Sequence, residues 1–291
     1  MNIIDQAKVC AVTGAGGFVG GRLKTCLGQA GLVARDWTRH PQTEDGVRFQ
    51  LGEAVDVKLF TGTSALVHCA YDFSARRWDD IVNVNVRGSE KLLRAARAAG
   101  VERIVCISSM SAFAGCRSLY GRAKLSIEET ALSLGATVIR PGLVYGDRPG
   151  GVFGGLVRQV RNSTMVPLLG GNQLQYLVHS DDLAQLVSRC VLGELAPPTL
   201  PVTLAHETGW PIRRLLSAIG DALNRRVRFI PVPWRAAWFG LKTLELAGLP
   251  TPFRSDSLIG MIYQNPAPDF ELAKSLNAHC RPFQITSTML T

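Results

Sequence analysis

The chain has 291 residues, 46% of them hydrophobic, which is enough to bury a large core and excludes a disordered or fibrous protein. A net charge of +9 admits an anionic partner, but the pairs Arg76-Arg77, Arg213-Arg214 and Arg225-Arg226 stand apart in apolar sequence without interleaved aromatics, so no nucleic acid is expected. Seven cysteines at 10, 26, 69, 106, 116, 190 and 280 form no C-x-x-C and are odd in number, so no metal site or closed disulfide framework is expected. A reducing, cytoplasmic setting fits them, and the start MNIIDQAK lacks the basic head and apolar core of a signal peptide. No stretch approaches the roughly 18 apolar residues of a membrane span.

Along the chain, KVCAVTG reads as a buried strand and leads into a helix near residues 18 to 30, with Val19, Leu23, Leu27 and Ala30 on its apolar side. The same beat returns in LVARDW, in ALVHCA, in a helical stretch from Val82 to Ala99, in RIVCISS, in a helix after Leu119 and in ATVIRPG. Continuous apolar strands that alternate with helices predict an α/β fold, a doubly wound parallel sheet covered on both faces. Beyond Val144-Tyr145-Gly146 the rhythm loosens into DRPGGVFGG, LLGGNQ, LAPPTLP, PVPW and GLPTPF. The expected division is a nucleotide-binding unit over 1–149, to which 176–205 returns, and a smaller C-terminal substrate-binding region over 150–291.

Between the first strand and helix the sequence reads GAGGFVG, with Gly14, Gly17 and Gly20 at the spacing of a phosphate-binding turn and Phe18 and Val19 completing it. A tight strand-to-helix turn needs backbone freedom, a pyrophosphate needs bare main chain, and a helix N-terminus offers N–H groups and partial positive charge. In that context the pattern predicts a dinucleotide site rather than an ordinary glycine turn. The end of the second strand selects the cofactor. In VARDWTRH, Asp36 falls inside the strand while Thr38 and Arg39 stand at its end, which favours NADP(H) over NAD(H) because an arginine there meets the extra phosphate. The alternative is a surface Arg39 with Asp36 turned towards the adenosine.

Tyr120 and Lys124 are four residues apart on a predicted helix and so share a face. A phenol yields a proton readily near neutral pH, and a neighbouring ammonium, joined by the positive charge of an oxidised nicotinamide, stabilises the phenolate left behind. Ser109, closing a strand that ends in Ser-Ser, would hold the substrate's carbonyl oxygen while Tyr120 donates its proton. The bland alternative is a surface helix with a snorkelling lysine.

With these residues in place the sequence closely resembles the extended short-chain dehydrogenase/reductase family, the group that contains NAD-dependent epimerase/dehydratase proteins. VTGAGGFVG resembles the family's cofactor turn, VHCA its fourth-strand ending, NVNVRGSEKLL its central helix, YGRAK its Tyr-Lys motif, IRPGLVYG its sixth strand and YLVHSDDLA a later helix entry. The resemblance implies that Ala70 and Pro141 line the cofactor, that Asn85 supports the active-site helix at the cofactor's edge, and that Tyr120, Lys124 and Ser109 take the roles above. Three departures stand out. Counting back from Gly115 lands on Met110 where many nucleotide-sugar members have a catalytic Ser or Thr, so Ser109 or Ser111 must substitute. The Ser109-to-Tyr120 spacing of eleven residues removes a loop that many epimerases place around the sugar. Gln175 stands where many members carry an arginine for a diphosphate. Arg148, Arg158 or Arg161 could compensate or lie on the surface, and Ser111, Arg148 and His179 are the expected substrate contacts, with His179 packed and hydrogen-bonding rather than a base.

The leading expectation is an NADP(H)-dependent oxidoreductase acting on a carbonyl of a small polar molecule, with a nucleotide-linked deoxysugar preferred by resemblance. The alternatives are a sugar-nucleotide epimerase with tightly held cofactor, a ketone reductase on a non-nucleotide substrate, and a non-catalytic NADPH-binding scaffold or sensor. Relatives also make the family's homodimer a possible arrangement.

Overall fold

The structure, a computed structural model, describes residues 8–249, 251 and 253–290. Its first half alternates strand and helix: β1 (Val9–Thr13), α1 (Phe18–Gln29), β2 (Val33–Thr38), β3 (Val47–Arg48), β4 (Thr63–His68), α2 (Trp78–Ile81), α3 (Arg87–Ala98), β5 (Arg103–Ile107), α4 (Leu119–Ser133), β6 (Thr137–Pro141) and β7 (Leu143–Tyr145). The second half holds α5 (Gly151–Asn162), β8 (Met165–Leu168), β9 (Leu174–Gln175), β10 (Leu177–His179), α6 (Ser180–Leu192), β11 (Val202–Leu204), β12 (Trp210–Pro211), α7 (Ile212–Ala222), β13 (Arg228–Pro231), α8 (Trp234–Leu246), α9 (Ser255–Ile262) and α10 (Glu271–Ser275).

Seven parallel strands form the main sheet in the order β11-β6-β5-β4-β1-β2-β3, a Rossmann-like arrangement whose strand order reverses between β4 and β2, on either side of β1. Strand side chains alternate between the two faces, and both faces are buried. Cys10 and Val12 of β1, Ala65 and Val67 of β4, and Val105 and Ile107 of β5 pack with Leu23 and Leu27 of α1 and Leu183 and Val187 of α6. Ala11, Leu66, Ile104 and Cys106 point the other way, onto Leu92, Leu93 and Ala96 of α3 and Ile127 and Ala131 of α4. This is why these strands read as unbroken apolar runs.

The stretch expected as one helix over Val82–Ala99 is broken. A π-helical turn, Val82–Val86, joins α2 to α3. The wider turn sends Asn85 inward, where it is fully buried, and β-branched Val82, Val84 and Val86 give that segment little α-preference to oppose it.

A second core lies outside the main sheet. Tyr145, Phe153, Val157, Val166, Leu177, Leu215 and Ile219 pack with Phe283 and Met289 of the C-terminal segment. Short strand pairs β7-β10, β8-β13 and β9-β12 frame it. Within 150–291, α6 covers the sheet, β11 extends it beyond β6, and Ala273 of α10 is buried against the same core. The return of α10 goes beyond the stretch 176–205 anticipated from sequence.

Candidate active site

The glycine turn lies at the carboxyl edge of β1, beside the point where strand order reverses, which is where open α/β sheets take ligands. Gly14 has φ +69°, in the left-handed region, and a Cβ there would come within 2.9 Å of the Ala70 nitrogen. A Cβ on Gly20 would collide with the Gly14 carbonyl oxygen, so α1 can lie this close to the turn only without a side chain. No side chain caps α1 and its first turn carries no acid, which leaves backbone N–H groups and the positive helix end for an anion. These features fit a dinucleotide pyrophosphate. The Phe18 ring lies against Gly146, Gly150 and Gly151, and a Cβ on Gly150 would overlap it, so the glycines of the loop before α5 let that loop close over the turn.

Beneath the turn runs a buried hydrogen-bond chain. Thr13 Oγ1 accepts from the Cys69 and Ala70 nitrogens at 3.2 and 3.3 Å and lies 2.7 Å from His68 Nδ1. Since that oxygen already accepts twice, its single proton goes to Nδ1, and His68 Nε2–H donates to Ser89 Oγ at 2.9 Å. Burial drives the His68 imidazole down to about 3, and the Lys124 ammonium adds to the effect. The chain holds the end of β4, and with it Ala70, against β1.

Asp36 is 4% exposed and accepts from Lys24 Nζ at 3.1 Å, the Gln42 nitrogen at 3.2 Å and Thr43 Oγ1 at 2.5 Å. Although burial opposes it, these bonds hold its carboxyl below the usual range. The carboxylate ties down the turn after β2. Arg39 is exposed at the strand end, and its charge helps to hold the Asp72 carboxyl low, after the larger effect of the Ser74 backbone N–H.

Asn85, expected to support the active-site helix and border the cofactor, is bonded to the loop after β4. Its Oδ1 accepts from the Asp72 nitrogen at 2.6 Å and its Nδ2 donates to the Asp72 carbonyl at 3.0 Å, so its amide clamps the loop after β4. That loop carries two residues the sequence reading did not single out, Tyr71 and Phe73. Tyr120, at the start of α4, meets the Tyr71 ring edge-on at 4.9 Å between centroids and stacks on Phe73 at 5.8 Å. Lys124, 3% exposed, donates from Nζ to the Ile107 carbonyl at the end of β5 at 2.9 Å and lies 5.3 Å from the centre of the Tyr71 ring. One aromatic ring therefore touches both members of the Tyr-Lys pair. Burial, with a smaller contribution from Tyr120, pushes the Tyr71 phenol well above its ordinary range, so Tyr71 stays protonated as a wall.

Ser109 Oγ accepts from the Ser111 nitrogen at 3.1 Å, which leaves its hydroxyl proton to donate. Ser111 itself lies where α4 crowds in, since a Cβ on Gly121 would collide with the Ser111 carbonyl. Pro141 at the end of β6 accepts from the Met110 nitrogen at 3.1 Å, fixing the stretch between the two serines. The preceding Ser108 bonds buried Glu128, which also holds Arg140 at 2.5 Å. The start of α4 is capped from far away: Asp256 accepts from the Leu119 nitrogen at 2.6 Å and the Tyr120 nitrogen at 3.1 Å. Arg254, two residues earlier, donates to the Phe73 and Ala75 carbonyls at 2.9 and 3.3 Å.

The expected substrate contacts fall less neatly. Arg148 is exposed just before α5. His179 is 2% exposed, caps α6 by accepting from the Asp181 nitrogen at 3.2 Å, and packs edge-on against Tyr145 at 5.0 Å. With Tyr145, Asp147, Arg281 and Gln284 it borders a cavity of about 260 Å³. Asp147, His179 and Asp181 each place a possible metal-ligand atom within 4.8 Å of the others, a grouping the sequence reading did not anticipate. Two atoms of the group have protein partners, His179 Nδ1 at the helix start and Asp181 Oδ1 with Arg22 at 2.6 Å, while His179 Nε2 lies 3.5 Å from Asp147. Gln175, in β9, is neutral and half-buried beside Trp210.

Comparison with known proteins agrees with this geometry. The profile of the NAD dependent epimerase/dehydratase family matches residues 10–194. The chain is 33% identical over 247 residues to a ceramide reductase of Caulobacter vibrioides, covering 79% of this chain and 75% of that protein. It is 27% identical over 271 residues to a UDP-glucose 4-epimerase of Vibrio cholerae, covering 80% and 81%. Among solved structures, MoeE5 in complex with UDP-glucuronic acid and NAD superposes with a TM-score of 0.66 at 23% identity, over 78% of this chain and 86% of that one.

Proposed function

The chain belongs to the NAD-dependent epimerase/dehydratase family of enzymes, and from that premise we propose that it is an NADP(H)-dependent oxidoreductase that reduces a carbonyl, or oxidises the matching secondary alcohol, on an apolar, lipid-like substrate. The observation that carries this reading is the meeting of Tyr120, Lys124 and the end of β5 with an aromatic wall of Tyr71 and Phe73. A bound nicotinamide supplies the hydride, or takes it up in the reverse direction. Gly14, Gly17, Phe18, Val19, Gly20 and Ala70 would hold the dinucleotide, and Arg39 supports NADP through the extra phosphate. Tyr120 donates its proton to the substrate oxygen as negative charge builds there, and the Ser109 hydroxyl donates a hydrogen bond to the same atom. Lys124 places its amino group beside this pair, oriented by the Ile107 carbonyl.

The substrate preference rests on three features: Phe73 is 60% exposed over Tyr120, Gln175 offers no cation for a diphosphate, and the ceramide reductase is a relative over most of the chain. A second reading, a reductase or epimerase of a nucleotide-linked deoxysugar, is favoured by the UDP-glucose 4-epimerase and by MoeE5. The odd number of cysteines, with no C-x-x-C among them, is the ground for proposing a reducing compartment such as the cytoplasm, and a homodimer is proposed by likeness to relatives.

The test is a scan of long-chain ketones and nucleotide sugars with NADPH and NADH, following loss of reduced-cofactor absorbance. Oxidation of NADPH by the ketones alone supports the reading. Turnover of sugar nucleotides, with nicotinamide retained through purification, would replace it with the epimerase. Tyr120→Phe is expected to lower turnover by about 10² or more while dinucleotide binding persists. Unchanged behaviour of that variant would indicate a cofactor-binding scaffold.

A further inference from the structure

Helix α8 is apolar on both of its faces. On its inner side Trp234 meets Tyr263 edge-on at 5.8 Å, and Glu245 holds the Ser255 backbone nitrogen and hydroxyl at 2.8 and 2.7 Å. At 100° per residue the opposite side presents Arg235, Ala236, Phe239, Gly240, Thr243, Leu244, Leu246 and Ala247, all exposed. Phe239 is 69% exposed, Leu246 78% and Leu244 41%, and Leu249 just beyond the helix is 49% exposed. No residue of α8 is buried and its outer face carries no acid. A solvated helix normally turns charges outward, so a continuous apolar face of this kind marks a contact surface.

The surrounding charge identifies the occupant. Between residues 224 and 249 lie Arg225, Arg226, Arg228, Arg235 and Lys242 against the single acid Glu245, whose carboxylate is bonded inward to Ser255. Three of those arginines, with Asn224, Thr164 and Met165, line a hollow of about 540 Å³ beside β13, the strand that runs into α8. Met165 and Ile230 stand exposed there, at 56% and 40%. Guanidinium groups next to exposed apolar side chains match phosphate headgroups above an acyl boundary. A second copy of this chain fits worse, because a two-fold contact would set cation-rich faces against each other.

We propose that residues 224–249 form an interfacial anchor that seats the protein on an anionic bilayer, with Phe239, Leu246 and Leu249 entering the headgroup region and the arginines on lipid phosphates. No described helix is long and apolar enough to cross a membrane, so the contact is peripheral. The anchor stands independently of the substrate reading above.

The full chain is mixed with phosphatidylcholine vesicles, with and without phosphatidylglycerol at about one lipid in three, and sedimented at low and high salt. Sedimentation is expected with the anionic vesicles, weakened by salt and reduced about tenfold or more by Phe239→Glu with Leu246→Glu. Arg225→Glu with Arg226→Glu is expected to reduce it as well, and NADPH affinity is expected to stay unchanged in both variants. Three results would overturn the anchor: no sedimentation with anionic vesicles, equal sedimentation of the Phe239/Leu246 variant, or a wild-type dimer that this variant splits into monomers. Tyr120→Phe is expected to bind vesicles as the wild type does, and vesicle binding by the wild-type chain with no turnover of any scanned substrate would count against the catalytic reading alone.

Discussion

Lowering the pH tests the buried chain beneath the glycine turn. His68 is fully buried and neutral, held between Thr13 and Ser89, with its folded pKa near 3 against an ordinary 6.5. Between those two values the unfolded chain binds a proton that the folded chain refuses. Stability from this group is therefore complete above pH 6.5 and falls as the pH drops towards 3. The full shift corresponds to about 5 kcal/mol, and the part lost between pH 7.5 and 5.0 to about 2 kcal/mol, at about 1.4 kcal/mol per pH unit. Against a typical domain stability of about 5–15 kcal/mol this is a large loss. Asp36 and Asp181, whose carboxyls are held below the usual range, contribute stability that disappears only at more acid pH, so the higher window isolates the imidazole. Charging His68 would also turn Nδ1 into a donor facing Thr13 Oγ1, which already accepts from two backbone groups, and the end of β4 would lose its hold on β1. Urea unfolding at pH 7.5, 6.0 and 5.0 reads the free energy directly. The wild-type protein is expected to lose about 2 kcal/mol across that range, and His68→Gln, neutral at every pH, to lose markedly less. A flat wild-type profile, or the same slope in the variant, would refute the reasoning.

Two further predictions bear on the site. Arg39→Ala is expected to raise the KM for NADPH roughly tenfold or more while leaving that for NADH nearly unchanged, because only the former offers a phosphate to a guanidinium; steady-state kinetics with both cofactors checks it. Asp256→Ala removes the carboxylate that accepts from the Leu119 and Tyr120 nitrogens, so stability is expected to fall by about 1–2 kcal/mol and kcat to drop with little change in dinucleotide affinity. Asp256→Asn should recover part of both, as measured by urea unfolding and single-turnover kinetics.

The sheet was legible because its strands are buried on both faces and its glycine turn is local: the pattern from Val9 to Gly20 contains strand, turn and helix within one dozen residues. The Tyr-Lys pair was legible for the same reason, since four residues on one helix fix their geometry. What surrounds the pair was not. Tyr71 and Phe73 follow a strand end in HCAYDF, and strand ends at the carboxyl edge are where ligands sit, so that position was a usable signal. Asp256 gave none, because it caps a helix more than a hundred residues earlier and nothing local to either segment marks the pairing. The bonds of Asn85 to Asp72 were not legible either, because the π-helical turn that buries it replaces the regular helix its neighbours suggested.

These non-local bonds also decide which parts of the cleft can move together. Arg254 holds the carbonyls of Phe73 and Ala75 on one wall, Asp256 holds the first turn of α4 on the other, and Ser255 between them is gripped by Glu245 of α8. Three consecutive residues thus tie the aromatic wall, the helix of Tyr120 and the exposed apolar helix into one mechanical unit. Glu245 of α8, Ser255 and Asp256 link the apolar helix to the first turn of α4, where Asp256 accepts from the Tyr120 nitrogen, whereas the glycine turn is held by Thr13 and His68.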